Sequence, residues 1–402
     1  MTQWSDRTTA ERVKMLRGDR LTQEGLAEAA DLSVGTVRKL EQGGNVSLPS
    51  LLRLAAALGT DVSVMLGQQA PRRGMDLDER SALRAVSAAV HSSAMGDVGD
   101  VEPGSVEGLR AAVRRADAAF WSGEYVELGA ILSRLLPEAR ALRDASTGSL
   151  REKAVAVLTD AYQTSATMAN ILGARDLAYA AIAYGRQVAV QAGDDLRDAH
   201  LTASLAWIYL RDGHTVRAVQ AAERAASAVE PRMSDSDPDR LSVYGQLVTN
   251  AAVAASRGGA SAATARDYLN QAHAVAARIG CEHARGGQGQ PFGPSYAATQ
   301  ALSVAMALNE TGQALRLIDS TVLDREMPLS TRARWRLDIA LIRTETRQWD
   351  AAANELQTVC DMAPAWVRHQ ALPGVIVGRL ADISVAKVRK VAAAAGVSLS
   401  TG

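Results

Sequence analysis

The sequence predicts an all-α chain, with a small helical unit at its N-terminus and a long array of helical repeats behind it. Three observations carry this. Alanine is abundant while aromatic residues make up only 4% of 402 residues, and β-branched runs are few, so helix propensity dominates throughout. Apolar residues recur at helical spacing from the first segments onward. Patterns of large and small residues then return several times between Ala116 and Pro364, as they do in repeat arrays. The length leaves room for two or three domains and a large core.

The first informative stretch runs from Thr22 to Gly43, TQEGLAEAADLSVGTVRKLEQG. Leu26, Ala27 and Ala30 mark a short amphipathic helix with Thr22 as N-cap and Glu24 in its first turn, where a carboxylate suits the helix dipole. Asp31 and Leu32 supply a turn. Ser33 caps a second helix whose Val37 and Leu40 point inward while Arg38 and Lys39 stay outside. Small residues at Ala27 and Gly35 are expected to let the two helices approach at a steep angle, the packing demand of a helix-turn-helix.

On these residues the segment from about Glu11 to Leu66 resembles the helix-turn-helix of the phage Cro/cI (XRE-like) regulators. Thr22-Gln23-Glu24, Leu26-Ala27, Leu32-Ser33, Thr36, Leu40-Glu41 and Gly43 fall on that family's pattern. Pro49, Leu51 to Ala55 and Ala57-Leu58-Gly59 resemble its last two helices. The resemblance implies a double-stranded DNA operator as partner, with Thr22 and Gln23 at the backbone. Ser33, Val34, Gly35, Thr36, Arg38 and Lys39 would face the major groove. Gly35 stands where relatives often carry a base-reading side chain, so readout shifts toward Arg38, Lys39, Val34 and DNA shape. LRGDRLTQ is one residue shorter than the family's usual approach to this helix, and Arg17 is the candidate partner of Glu41.

Gly67 to Gly74, GQQAPRRG, is polar punctuation that ends this unit; its Arg72 and Arg73 suit a solvated linker. A helix-like stretch, Asp76 to Ala94, precedes a second break at Gly96–Ser105. The expected division is therefore a DNA-binding domain over 1–68, a linker with a helix over 69–107, and a repeat domain over 108–402.

Within the repeat domain the clearest unit spans Ala199 to Pro231, with Leu205-Ala206, Tyr209, Gly213, Ala218 and Ala225. Another ends at Pro364 with Ile339-Ala340, Trp349, Ala352, Leu356 and Val359. Weaker copies centre on Ala116 with Gly123-Glu124-Tyr125, on Ala166 with Gly173 and Ala178, and on Asn250 with Ala265 and Leu269. These spacings resemble tetratricopeptide (TPR) helix hairpins, although the copies lie nearer 40 than 34 residues apart. The whole plan resembles regulators of Gram-positive bacteria that bind short peptides, and its alanine, arginine and glycine richness resembles the actinobacterial type. The terminal VAKVRKVAAAAG, with Val385, Val388, Val391 and Ala392 in one stripe, reads as a capping helix whose Lys387, Arg389 and Lys390 are solvated.

Chemistry is not legible anywhere. No HExxH, Cys-x-x-Cys, phosphate-binding Gly-x-x-x-x-Gly-Lys-Ser/Thr or Gly-x-Ser-x-Gly pattern occurs, so neither an enzyme nor a cofactor is expected. Gly286–Ala297, GGQGQPFGPSYA, lacks the strand and lysine of a phosphate loop but is long enough to be a functional insertion. Cys281, Glu282 and His283 are consecutive and cannot all face one metal, so no metal site is expected. With two distant cysteines, no signal-like N-terminus and no membrane-length apolar run, the expected location is the cytoplasm.

Charge balances at 44 basic against 44 acidic residues, which argues against a general nucleic-acid or membrane coat. The first 73 residues hold ten basic and eight acidic side chains, too small an excess for one head to bind DNA well alone. A homodimer held by the repeats is expected. The expected function is a sequence-specific transcriptional regulator that senses a peptide or small molecule; the alternative is a TPR scaffold recruiting a protein partner. Laying the hairpin register on the chain puts Asp117, Phe120, Gln163, Thr167, Asn170, His200, Trp207 and Asn250 on the inner face. Of these, Gln163, Thr167, Asn170, His200, Trp207 and Asn250 form the expected ligand site. Their amides can both donate to and accept from a peptide, and the indole can supply a wall.

Overall fold

The computed structural model describes residues 7–66, 75–97, 99–287, 289–370, 372–381 and 385–395. Its N-terminal head contains α1 (Thr9–Arg17), α2 (Gln23–Ala29), α3 (Val34–Glu41), α4 (Leu48–Ala57) and α5 (Val62–Met65). Every expected cap is present: Thr22 Oγ1 accepts from Gly25 N at 2.9 Å and Ser33 Oγ from Thr36 N at 3.2 Å. Asp31 takes the left-handed conformation that turns α2 into α3, at φ 51°. The five helices meet on Val13, Leu26, Val37, Leu54 and Met65, all fully enclosed.

The expectation for Gly35 needs correcting. A side chain there would meet only Ser33 Oγ, at 3.7 Å, and Gly35 is exposed, so it does not mediate helix approach. Ala27 alone of the two is buried.

The segment expected as a linker carries α6 (Leu77–Met95), which packs along the second helix of the first hairpin and places Val86, Ala89 and Val90 in the same core as the first repeats. It is therefore part of the body's packing. Residues 67–74, with Arg72 and Arg73, lie outside the described residues.

Among the described residues, six antiparallel hairpins follow: α7 (Val106–Ser122) with α8 (Tyr125–Ala145), α9 (Gly148–Ile171) with α10 (Arg175–Gln191), and α11 (Asp195–Arg211) with α12 (Thr215–Ala228). Then come α13 (Pro238–Ala254) with α14 (Ala262–Ile279), α15 (Pro294–Ala307) with α16 (Thr311–Ser320), and α17 (Leu329–Glu345) with α18 (Trp349–Met362). The sequence pattern misses the fifth. Its turn uses Asn309 in the left-handed region, φ 62°, where Gly123, Gly173 and Gly213 serve earlier hairpins, and its two helices are the shortest pair. The chain ends in α19 (Pro364–Val367), α20 (Leu372–Ala381) and α21 (Val385–Ala394). Val388, Val391 and Ala392 are buried there, and the side chains of Val385, Lys387, Arg389 and Lys390 lie outside the description.

The first helices of the hairpins pack in series, α7 on α9, α9 on α11, α11 on α13, α13 on α15 and α15 on α17; α17 then returns to α7. The solenoid thus closes into a ring. Its two ends are clasped where Arg368 Nη2 reaches Glu79 Oε1 at 2.6 Å and His369 Nε2 lies 3.2 Å from the same oxygen. Glu79 is 1% exposed. Burial pushes its carboxyl up, but the bonds and charges of His369 and Arg368 outweigh this and hold it below the ordinary value.

The head rests on the ring. Arg379 Nη2 donates to Val46 O at 2.5 Å, Arg379 Nη1 pairs with Glu345 at 2.8 Å, and α4 packs on α15 and on the π-helical turn Ala255–Gly259 that follows α13. At Gly213, φ 78°, a Cβ would stand 2.2 Å from Thr60 O. Only glycine lets the α11–α12 turn come this close to the head.

Candidate DNA-reading helix and ring cavity

On the head, Thr22, Ser33, Gly35, Arg38 and Lys39 are exposed while Gln23, Val34 and Thr36 are half-buried. The side chains that the sequence places at DNA share one face that the body leaves open. A polar chain underlies them. Arg17 Nε donates to Glu41 Oε1 at 2.7 Å, Gln23 Nε2 to Glu41 Oε2 at 2.7 Å, Arg38 Nε to Gln23 Oε1 at 3.2 Å and Arg38 Nη2 to Glu24 Oε1 at 3.0 Å. Burial raises the Glu41 carboxyl, and the hydrogen bonds of Arg17 and Gln23 outweigh it to leave it below its usual value. Glu41 is 2% exposed, so this pair fixes α3 against α1 and α2 despite the shortened approach loop. The pair of Arg38 with Glu24 is exposed on both sides, 56% and 59%, and such pairs contribute little, so the guanidinium is readily released to DNA.

Because Gly35 sits in the first turn of α3 with open space around it, Gly35→Ala is expected to stabilise the head by about 0.5–1 kcal/mol. Urea denaturation of the full chain checks this; a loss of stability would mean that the site is crowded.

Inside the ring lies a cavity of about 230 Å³. All eight inner-face residues named from the sequence, Asp117, Phe120, Gln163, Thr167, Asn170, His200, Trp207 and Asn250, line it. They come from α7, α9, α11 and α13, brought together by closure of the ring. Several already bond within the protein. Gln163 Nε2 donates to Ser204 Oγ at 2.9 Å, Asn250 Nδ2 to Ala203 O at 2.9 Å, and Asn170 is buried with its Oδ1 taken by Arg175.

The loop from Cys281 to Gly293 enters the ring and forms part of the lining. His283 and Phe292 pair through their backbones at 2.9 and 3.0 Å, closing the loop at its base. At its tip Gly289 N donates to Asp117 Oδ1 at 2.9 Å and Gln290 Oε1 accepts from Thr331 at 3.3 Å. Arg285 bridges Asp160 at 3.1 Å and His200 Nδ1 at 3.0 Å. The neighbouring Cys281-Glu282-His283 run faces apart: Glu282 accepts from Ser295 N at 2.6 Å, His283 meets Asp239 at 2.7 Å, and Cys281 is exposed. Sequence reasoning marks this loop as an insertion but misses Arg285 and Gln290. It also misses Asp160, Arg211, Arg334, Asp338 and Trp366, which complete the wall. Asp160 and Arg211 lie one turn from Gln163 and Trp207 on the same helices, so helical spacing could have found them; Arg334, Asp338 and Trp366 reach the cavity only because the ring closes.

Burial, then the charges of Arg285 and Arg197, hold the His200 pKa well below its ordinary value. The imidazole is therefore neutral, with Nδ1 accepting from Arg285. A base with a lowered folded pKa binds fewer protons folded than unfolded, so its contribution is lost as pH falls below about 6.5 toward the folded value. Wild type is expected to lose more thermal stability between pH 7.5 and 5.5 than His200→Gln. Burial raises the Asp117 pKa despite its bonds from Gly289 and Trp121, which opposes this trend equally in both proteins. Parallel melting curves would contradict the assignment of a neutral His200.

Residues 14–64 match the family described as Helix-turn-helix. The head is thus an XRE-like DNA-binding helix-turn-helix of the kind found in transcriptional regulators. No curated protein and no solved structure matches the chain. Among the described residues no helix is long and apolar enough to cross a membrane.

Proposed function

We propose that the chain is a sequence-specific transcriptional regulator that reads an operator with α3 and binds a small-molecule effector in the ring cavity. The observation that carries this is the convergence of polar and aromatic side chains from successive hairpins on one cavity inside the ring, behind a head whose reading face stays open. The hairpins are read as TPR-like repeats of actinobacterial type, with a head over 1–68 and a repeat body over 108–402 into which α6 of the 69–107 segment packs. Gln163, Thr167, Asn170, His200, Trp207 and Asn250 form the effector site, with Thr22, Gln23, Ser33, Val34, Gly35, Thr36, Arg38 and Lys39 at DNA.

Ring closure and the inserted loop favour a compact small molecule over an extended peptide. They also disfavour the scaffold reading, since a protein partner needs an open groove. The test is native mass spectrometry of the full chain purified from its own cells. A bound molecule retained by wild type and lost on Trp207→Ala is expected; an empty wild-type protein that still responds to its signal would overturn the cavity reading.

A homodimer working in the cytoplasm completes the proposal. Two heads on half-sites about one helical turn apart, ~34 Å, supply the affinity that one mildly basic head lacks. Light scattering that shows a monomer bound to DNA at full affinity would remove it.

A further inference from the structure

Between the cavity and the underside of the head lie Arg175, Arg211, Arg257 and Arg334. Two of them have carboxylate partners: Arg175 Nε is 3.7 Å from Asp212, and Arg334 Nε donates to Asp338 at 2.9 Å. Arg211 and Arg257 have no ion-pair partner among the described residues, and the Nε of each is buried without a hydrogen bond. The Tyr125 hydroxyl, fully buried in the cavity wall, also has no partner. Tyr125 and Arg211 line the same cavity. Donors without acceptors have gathered here, and buried polar groups left in that state are costly.

One negative charge arrives from the head. Asp61, immediately before α5, acts on Arg175, Arg211 and Arg257, and the turn after Arg211 is the one pressed against Thr60. Against the two unpaired arginines this leaves a surplus of one positive charge. Burial pushes the Arg211 and Arg257 pKa values down to about 10, which leaves both charged at neutral pH; the side chains are half-buried.

We infer that this end of the cavity is an anion subsite and that the effector is a small carboxylic acid. Its carboxylate lodges at Arg211 and the Tyr125 hydroxyl, and its apolar part lies along Trp207 and Trp366. A singly charged carboxylate matches the surplus, whereas a phosphate dianion would exceed it. The inference rests on the reading of the cavity as an effector site. It adds a coupling to DNA: the ligand's carboxylate and Asp61 draw on the same arginines, so each weakens the other's hold. Occupancy of the subsite thereby loosens the seat of the head.

The test titrates the full-length protein with 4-phenylbutyrate and with its primary amide, read by the fluorescence of the cavity tryptophans. The acid is expected to bind at least about tenfold more tightly than the amide, in keeping with a charge-assisted contact. Arg211→Met erases that preference. Asp61→Asn tightens the acid several-fold and leaves the amide unchanged, a gain that a misfolded variant would not produce. Equal binding of acid and amide, indifferent to Arg211→Met, would overturn the anion subsite while leaving the cavity as an effector site. Failure of the acid to bind wild type or Asp61→Asn at concentrations on the order of 10 mM overturns it as well. So does a co-purified occupant that carries no acidic group. An empty native protein, by contrast, strikes at the cavity reading itself.

Discussion

Replacing Arg38 and Lys39 together by alanine is expected to abolish sequence-specific DNA binding while leaving the fold intact. Both side chains are exposed on α3, and neither contributes to the core built on Val37 and Leu40. A side chain that reads a base edge contributes about 1–3 kcal/mol, and one that meets phosphate contributes less and without sequence preference. On the pair of half-sites that the proposed homodimer would read, loss of both contacts at each removes specific binding at micromolar protein. Fluorescence anisotropy on a duplex selected from a random pool measures this, with melting temperature as the control. Gln23→Ala separates the roles further. Gln23 is expected at the DNA backbone, so its loss is expected to weaken binding across sequences without changing preference. Wild-type affinity in the Arg38→Ala/Lys39→Ala protein would remove α3 as the reading helix.

Phe292→Ala is expected to cost about 3–5 kcal/mol, the range for emptying a well-packed aromatic site. The ring is fully enclosed and lies over Gly245 of α13, where a Cβ would stand 2.1 Å from Phe292 Cε1. It meets Tyr296 edge-on at 6.1 Å between centroids. Phe292 is also the anchor of the loop that carries Arg285, Gly289 and Gln290 to the cavity, so its loss frees the cavity wall as well as emptying a core site. Guanidinium denaturation of the full chain gives the first effect. Hydrogen exchange over 281–293 gives the second. A loss under about 1 kcal/mol would show that the loop is held by its polar contacts instead.

The head was nearly complete in the sequence because its signals are local. Thr22 and Ser33 are caps within three residues of the amides they satisfy, and the alternation of Val37 and Leu40 with Arg38 and Lys39 separates core from surface within one helix. Even the pair of Arg17 with Glu41, separated by 24 residues, was reachable through the family pattern. Gly35 misled because smallness alone does not say what a residue faces. In the body, the hairpins with glycine turns were legible, and so was α17–α18, turned by Arg347 but marked by Trp349 and Pro364; the short α15–α16 hairpin, turned by Asn309, was not. The inner-face residues fell around one cavity because a first helix keeps its inward stripe whatever its neighbours do. Ring closure was invisible, since it depends on α17 meeting α7 and on Arg368 and His369 reaching Glu79 across the chain. That Arg211 and Arg257 lie beneath the head was invisible for the same reason. They look like ordinary helix-end cations until the head is laid over them.

Occupancy of the ring cavity, as proposed, governs the DNA affinity of the head, and the most direct measurement is the Kd for the selected duplex with and without the saturating cavity ligand. A change of about 5–150-fold is expected, the usual range of coupling between two sites, and it should vanish in Trp207→Ala. Unchanged affinity with the cavity demonstrably occupied would contradict it.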